Sequence, residues 1–204
     1  MGFYEDHILP RGIDWGMSAE RFSRLRQQYL AGVGGTVLEV GFGSGLNLPH
    51  YSNRISHLYA LDPSQLGRRL AATRIQEVSF PVEFVELEGP RIALPDRSVD
   101  TVVSTWTVCT IPDPVFALKE IRRVLRPEGK YYFLEHGLSP DRRVARFQNL
   151  WNPIQKWFAG GCHVNRKIDQ LVLAAGLRLL ECENFYMEGP KVLTYMYGGI
   201  ASPP

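Results

Sequence analysis

The run Leu38-Glu39-Val40-Gly41-Phe42-Gly43-Ser44-Gly45-Leu46-Asn47 constrains this chain more than any other. Residues 36–40 read as a short apolar strand, and the alternate glycines after it let the backbone turn sharply at the strand's carboxyl end. Residues 57–61 read as a second strand, and it ends in Asp62, seventeen residues beyond Gly45. A carboxylate there accepts two hydrogen bonds from a ribose diol, so strand, glycine turn and acid together make a nucleoside site. The plainer reading is a tight turn beside an exposed acid. Strands on both sides weigh against it.

The rest of the chain fits around that turn. Phe22, Leu25, Tyr29 and Leu30 recur at helical spacing after Ser18-Ala19-Glu20, until Gly32 stops them. A helix is expected from Ser64 to about Val78, and strands over 82–85 and 99–104. Asp113-Pro114 opens a further helix with an apolar stripe of Val115, Leu118, Ile121, Val124 and Leu125, ended by residues 127–129. A fifth strand follows over 131–134. Strands alternating with helices of this length make a parallel sheet covered on both faces.

Beyond strand five, Val144, Phe147, Trp151, Ile154 and Phe158 predict a helix with an aromatic stripe, interrupted at Asn152-Pro153. Residues 164–175 predict another helix, capped by Gly176. Two strand-like runs over 177–198, separated by Glu188-Gly189-Pro190, permit an antiparallel edge strand. The expected organisation is one domain over 1–204. It comprises a lead or lid over 1–35, a core over 36–137 and a substrate side over 138–204.

Composition excludes several classes. The 23 Lys+Arg against 21 Asp+Glu leave a formal +2, too small a basic excess for a dedicated nucleic-acid binder. Cys109, Cys162 and Cys182 are odd in number and show no CxxC pair, so no disulfide framework or metal cluster is expected and a reducing, cytoplasmic setting is. Residues 1–7 are too polar for a signal peptide, and Asp6 stands where a myristoylation motif wants Ser or Thr. No apolar stretch approaches a transmembrane length. A peripheral membrane contact through the Trp151, Trp157 and Phe158 stripe stays open, beside core packing or a substrate lid.

Which nucleoside binds is decided by spacing. A dinucleotide fingerprint reads G-x-G-x-x-G, whereas here the glycines read G-x-G-x-G behind Glu39. An added carboxylate is poorly placed against pyrophosphate and well placed against an ammonium or sulfonium. The arrangement resembles the class I S-adenosylmethionine-dependent methyltransferases, whose first motif reads E-x-G-x-G-x-G. The resemblance covers residues 36–137. It includes Asp62-Pro63-Ser64, Leu94-Pro95-Asp96-Arg97-Ser98-Val99-Asp100 and the run from Glu120 to Lys130, the last similar to the quinone-biosynthesis branch.

That resemblance implies a Rossmann-like, doubly wound α/β fold. Its sheet would have seven mostly parallel strands, one of them an antiparallel edge strand, and helices on both faces. It implies S-adenosyl-L-methionine as cofactor, with Gly41, Gly43 and Gly45 against the methionine portion and Glu39 near its cationic groups. Asp62 would hold the ribose hydroxyls, Pro63 and Ser64 would line the adenine, and Glu88 would sit near the adenine amino group. Ser104, Thr105 and Trp106 would floor the pocket. Leu134-Glu135-His136, Trp151-Asn152-Pro153 and residues 158–162 with Arg166 are similar to membrane-associated alkyl-thiol methyltransferases of animals. Ala159 departs from them, standing where they carry Asp, and their N-terminal membrane helix has no counterpart.

The function these readings imply is methyl transfer to a small, apolar acceptor: an alkyl thiol, a quinone precursor or a lipid amine. His136, at the carboxyl end of strand five, and His163, beside Cys162, are the candidate bases for an acceptor that must lose a proton, although each also reads as a structural histidine. Two rivals stay open at this point. One is a non-catalytic adenosylmethionine-binding protein, and the other a nicotinamide-dependent oxidoreductase.

Overall fold

The computed structural model describes residues 8–204. The expectations about residues 1–7 lie outside the described residues. Seven strands form one sheet: β1 (Gly35–Val40), β2 (Ile55–Leu61), β3 (Val82–Val85), β6 (Val99–Thr105), β7 (Leu125–His136), β8 (Arg178–Tyr186) and β9 (Tyr195–Ser202). Their order across the sheet is β3-β2-β1-β6-β7-β9-β8. A two-residue ribbon, β4 (Leu87–Glu88) with β5 (Arg91–Ile92), stands apart from it.

All pairs from β3 to β7 are parallel, and β9 runs antiparallel to both β7 and β8. The expected antiparallel strand is therefore present, but one place in from the edge, which β8 forms. The link between β8 and β9 holds only α7 (Lys191–Thr194), which keeps the two strands neighbours, and it is β9 that lies against β7.

Helices α2 (Glu20–Leu30) and α3 (Gln65–Gln76) are on one side, α4 (Pro114–Val124) and α6 (Ile168–Ala174) on the other. Strand alternation sends Val37 and Leu58 into a core with Leu30 and Ala71, and sends Leu38, Val40 and Val102 into a core with Leu118, Ile121 and Val172. The caps are those the residues suggest. Asp113 accepts from the Phe116 amide and Ser64 from the Gly67 amide.

Three boundaries differ from expectation. Leu125 opens β7 instead of ending α4. Helix α5 (Arg142–Phe158) runs unbroken through Pro153. Buried Asn152 spends its side chain outward, accepting from the Val164 amide at 3.1 Å, so the Asn-Pro pair fastens the next loop rather than breaking the helix. Helix α6 starts only at Ile168, because residues before it are used elsewhere. Val164 bonds Asn152, and the Arg166 carbonyl accepts from the Leu138 amide. The chain also folds a first helix, α1 (Leu9–Met17), which the residue pattern did not signal.

Strand order positions the site. β1 has β2 on one side and β6 on the other, so the chain reverses its winding between β1 and β6, and a crevice opens at their carboxyl ends. Val40 pairs with Ser104, and Thr105 with Leu134, so the loops after β1, β6 and β7 emerge side by side.

Candidate functional site

The glycine turn begins where β1 ends. The Gly41 amide donates to the Leu61 carbonyl at 2.8 Å, which ties the turn to the end of β2. Gly41 has φ +78°, and a Cβ there would collide with Thr107 from the loop after β6. Gly43, at φ +54°, faces open space, with only the turn's own Gly41 carbonyl near. The first glycine thus brings two loops together, and the second leaves room beside them.

Asp62 completes this corner. One of its carboxylate oxygens accepts from the Gly43 amide at 2.8 Å, the other from the Ser64 amide at 2.7 Å. Each oxygen keeps further acceptor capacity for a diol. Burial pushes the Asp62 carboxyl above its ordinary range, opposed by the Ser64 and Gly43 amides. Pro63 is exposed beside it, and Ser64 caps α3.

Glu39 lies deeper than expected. Its carboxyl accepts from Asn47 Nδ2 at 2.9 Å and from the Tyr51 hydroxyl at 2.6 Å. Buried Arg26 donates to Asn47 Oδ1 at 3.0 Å and stacks 4.9 Å from the Trp106 ring. Burial raises Glu39 to about 8 against the pull of Tyr51, Asn47 and Arg26, and lowers Arg26 to about 10. With both oxygens engaged by protein donors, Glu39 reaches the crevice only through Asn47, whose Nδ2 also lies against Thr105 Oγ1.

Of the three residues Ser104, Thr105 and Trp106 at the end of β6, Trp106 is the one set against the lead. It adopts φ +51°, sits edge-on to Phe22 at 5.4 Å, and its buried Nε1–H has no partner among the described residues. Thr105 Oγ1 shares Asn47 with Glu39, 3.1 Å from Nδ2. Ser104 turns inward instead, bonding Tyr131 Oη and Glu135 Oε1 at 2.7 Å each. Glu88 is exposed on β4, lining a shallow cavity with Arg91 and Arg123 rather than joining the Gly43–Asp62 network.

The lead covers this corner. Arg26 donates to the Met17 carbonyl at 2.8 Å, and Arg74 bridges Asp14 and the Ser44 carbonyl, both at 2.8 Å.

A second set of groups gathers after β6 and β7. Cys162 Sγ is 3.5 Å from Cys109 Sγ and 3.6 Å from His136 Nδ1. Fully buried Glu135 orders this loop, accepting from the Val108 amide at 3.0 Å and the Cys109 amide at 3.2 Å as well as from Ser104. His163 donates its amide to the Cys109 carbonyl at 2.8 Å, and its Nδ1 is 3.3 Å from Asn152 Nδ2. Within the thiol pair, Cys162 is held low by the Cys109 thiol and then by His136, while Cys109 is pushed up. Burial lowers His163.

The fold therefore joins Gly41, Gly43, Asp62, Ser64, Thr105 and Trp106 in one corner, and His136 and His163 beside it. Arg26, Asn47, Tyr51, Thr107 and Glu135 had no assigned role. Asn47 lies inside the glycine motif and is the one whose position signalled it.

The methyltransferase-domain family model matches residues 38–133. A phosphatidylethanolamine N-methyltransferase of Cereibacter sphaeroides is 31% identical over 66% of this chain and 70% of its own length. The chain belongs to the S-adenosylmethionine-dependent methyltransferases. A thiol S-methyltransferase of Homo sapiens is 33% identical over 72% of this methyltransferase, which spans 62% of that relative. The fold superposes on a SAM-dependent methyltransferase from Aquifex aeolicus with a TM-score of 0.65 at 21% identity, covering 94% of this chain and 97% of that one. A trans-methyltransferase solved with S-adenosylhomocysteine gives 0.64 at 22% identity over 99% of this chain and 61% of that one.

The corner fits the cofactor. It offers an open glycine face at Gly43, a half-buried carboxylate with spare acceptor capacity, and an unpartnered indole N–H. The oxidoreductase and the non-catalytic rivals are set aside by the family.

Proposed function

We propose that this methyltransferase acts on a small, apolar thiol, taken up at the carboxyl end of β6 and β7 between Trp106, His136 and the loop over 159–163. The observation that carries this reading is the state of Glu135. An amine acceptor enters as an ammonium and needs a base, whereas a thiol is partly ionised without help. The fully buried carboxylate at this end of β7, Glu135, has its oxygens occupied by Ser104, Val108 and Cys109 and is no base for an ammonium. The similarity to a thiol S-methyltransferase, extending over 72% of the chain, supports the same acceptor.

The cofactor, when bound, supplies a methyl group on a sulfonium with a neutral leaving group. The chain's own residues hold and align. Gly43, Asp62, Pro63 and Ser64 would fix the nucleoside, and Glu39 would hold Asn47 in place at the turn. Thr105 and Trp106 would floor the pocket, with the lead over 8–35 as a lid that excludes water. Holding reactants in attack geometry is worth roughly 7–11 kcal/mol, so alignment alone supplies much of the catalysis. His136 and His163 are the imidazoles at that end, matched to the proton of a thiol rather than to that of the far less acidic ammonium.

A second reading, a lipid amine, is favoured by helix α5. Leu150 and Trp157 are each 74% exposed, and Arg142, Arg143, Arg146 and Lys156 flank them. An apolar face with basic flanks suits a peripheral contact with an anionic membrane surface. No described helix is long and apolar enough to cross a membrane. The reducing cytoplasm remains the proposed setting. A radiolabelled methyl-transfer screen against propanethiol, a quinone precursor and phosphatidylethanolamine vesicles tests the reading. Transfer to propanethiol alone supports it, and transfer to the lipid alone replaces it.

A further inference from the structure

We propose that Cys109, His136 and Cys162 form a three-ligand site for a thiophilic divalent cation, zinc, whose fourth position is open to the sulfur of the acceptor. The second half of this inference rests on the thiol reading above, and the first half does not.

Geometry is the first argument. The three ligand atoms lie within 4.8 Å of one another. A tetrahedral zinc, with Zn–S about 2.3 Å and Zn–N about 2.0 Å, sets its sulfurs about 3.8 Å apart and sulfur and nitrogen about 3.5 Å apart. The observed separations are 3.5 Å for the sulfur pair and 3.6 Å from Cys162 Sγ to His136 Nδ1. Both thiols are free, at a separation well beyond the S–S bond of about 2.05 Å. Two of the three separations thus match those around a tetrahedral ion, and the third, from Cys109 to His136, lies within 4.8 Å.

Rigidity is the second. The ligands come from the loop after β6, the end of β7 and the loop after α5, and the loop carrying Cys109 is independently held. Glu135 accepts the Val108 and Cys109 amides, and His163 donates its amide to the Cys109 carbonyl. Arg166 donates to the Val108 carbonyl at 2.6 Å, bringing a cation beside sulfurs that ligate as thiolates. Such outer groups orient ligands in metal sites.

Ligand number is the third. Among the described residues, no fourth Cys, His, Asp or Glu joins the group. Two thiolates neutralise the dication, and a site with three protein ligands keeps one position for water or substrate. A thiol binding there releases its S–H proton to solvent and is held as a thiolate. The three segments lie 26 or more residues apart in sequence, so no local spacing announced them.

Co2+ titration of the metal-stripped full chain tests the site. Wild type is expected to take up one cobalt per chain with sulfur-to-metal charge-transfer absorption. That absorption should vanish in Cys162→Ser and His136→Asn and shift when propanethiol is added. Absence of the absorption in wild type at stoichiometric cobalt overturns the site, as does a Cys109–Cys162 disulfide found by peptide mass spectrometry in the reduced and buffer-exchanged protein. A cobalt spectrum indifferent to propanethiol overturns the open position. Should the variants fail to fold, the wild-type titration decides by itself. Calorimetry with S-adenosylhomocysteine on the same samples separates the failures. S-adenosylhomocysteine bound by a protein that takes up no cobalt removes the zinc site and leaves the methyltransferase. Metal bound with no methylation of propanethiol removes the thiol reading instead.

Discussion

The two ends of the crevice are built in opposite ways. At the cofactor end, Gly41, Gly43 and Asn47 come from one continuous run, with Asp62 arriving through the next strand. The turn and that strand's end are joined by backbone amides, those of Gly43 and Ser64, donating to the Asp62 carboxylate. At the acceptor end, Cys109, His136, Cys162 and His163 come from three distant segments that meet only after the sheet has assembled. What a strand and its turn dictate locally can be read from residues in order. What the sheet order dictates cannot.

That contrast predicts separable failures. The largest concerns Glu135. Replacing this fully buried carboxylate by Ala strands the Val108 and Cys109 amides, and each buried donor left without a partner costs about 1–3 kcal/mol. Denaturant melts of Glu135→Ala are expected to show that loss, while any folded fraction still binds S-adenosylhomocysteine. A melt within error of wild type would mean that the acceptor loop is held by something else.

Next in size is Gly43→Ala. The side chain meets open space, so the cost is the left-handed backbone, roughly 1–2 kcal/mol. Cofactor affinity should fall further than stability, because the new methyl occupies the face left open. Equal losses in melts and in calorimetry would contradict a ligand at that face.

Glu39 sharpens the comparison through pH. Its carboxyl is raised by burial to about 8, so the folded chain keeps a proton that the unfolded chain has lost. Stability from this group is fully present below about pH 4.5 and is lost as pH rises toward 8. Thermal melts from pH 5 to 8 should therefore decline more steeply in wild type than in Glu39→Gln. His50, lowered by burial, slopes the other way, which is why the difference between the two proteins is the readout. Parallel pH profiles would remove the buried-proton account.

The smallest expected change is in Trp157→Ser. Trp157 is 74% exposed on α5, and the substitution should alter stability by less than about 0.5 kcal/mol while weakening sedimentation with anionic vesicles. Unchanged sedimentation would leave the α5 face without a membrane role.

Much of the fold was legible because helices of ordinary length, α3 and α4, separate β2 from β3 and β6 from β7. Strand β3 falls where the residues place it, and Asp113 caps α4 as expected. The misses have physical causes. Pro153 looked like a break because a missing N–H is visible in sequence, whereas the Asn152 contact to Val164 is not. Glu39 was legible as an acid near a cation, yet its partners Tyr51 and Arg26 depend on how the segment after the glycine turn and α2 pack. Ser104 follows strand alternation inward, toward Tyr131, where position in a motif suggested the pocket.

The most direct test of the account is calorimetry with S-adenosylhomocysteine on wild type, Asp62→Ala and Cys162→Ser. Hydrogen bonds to a charged group are worth about 1.5–3 kcal/mol each, so losing the diol contacts should weaken Asp62→Ala by about 3 kcal/mol, on the order of 100-fold. Cys162→Ser should bind like wild type. Equal affinity for wild type and Asp62→Ala would contradict the cofactor corner, and a joint loss in both variants would contradict the division of the crevice into two ends.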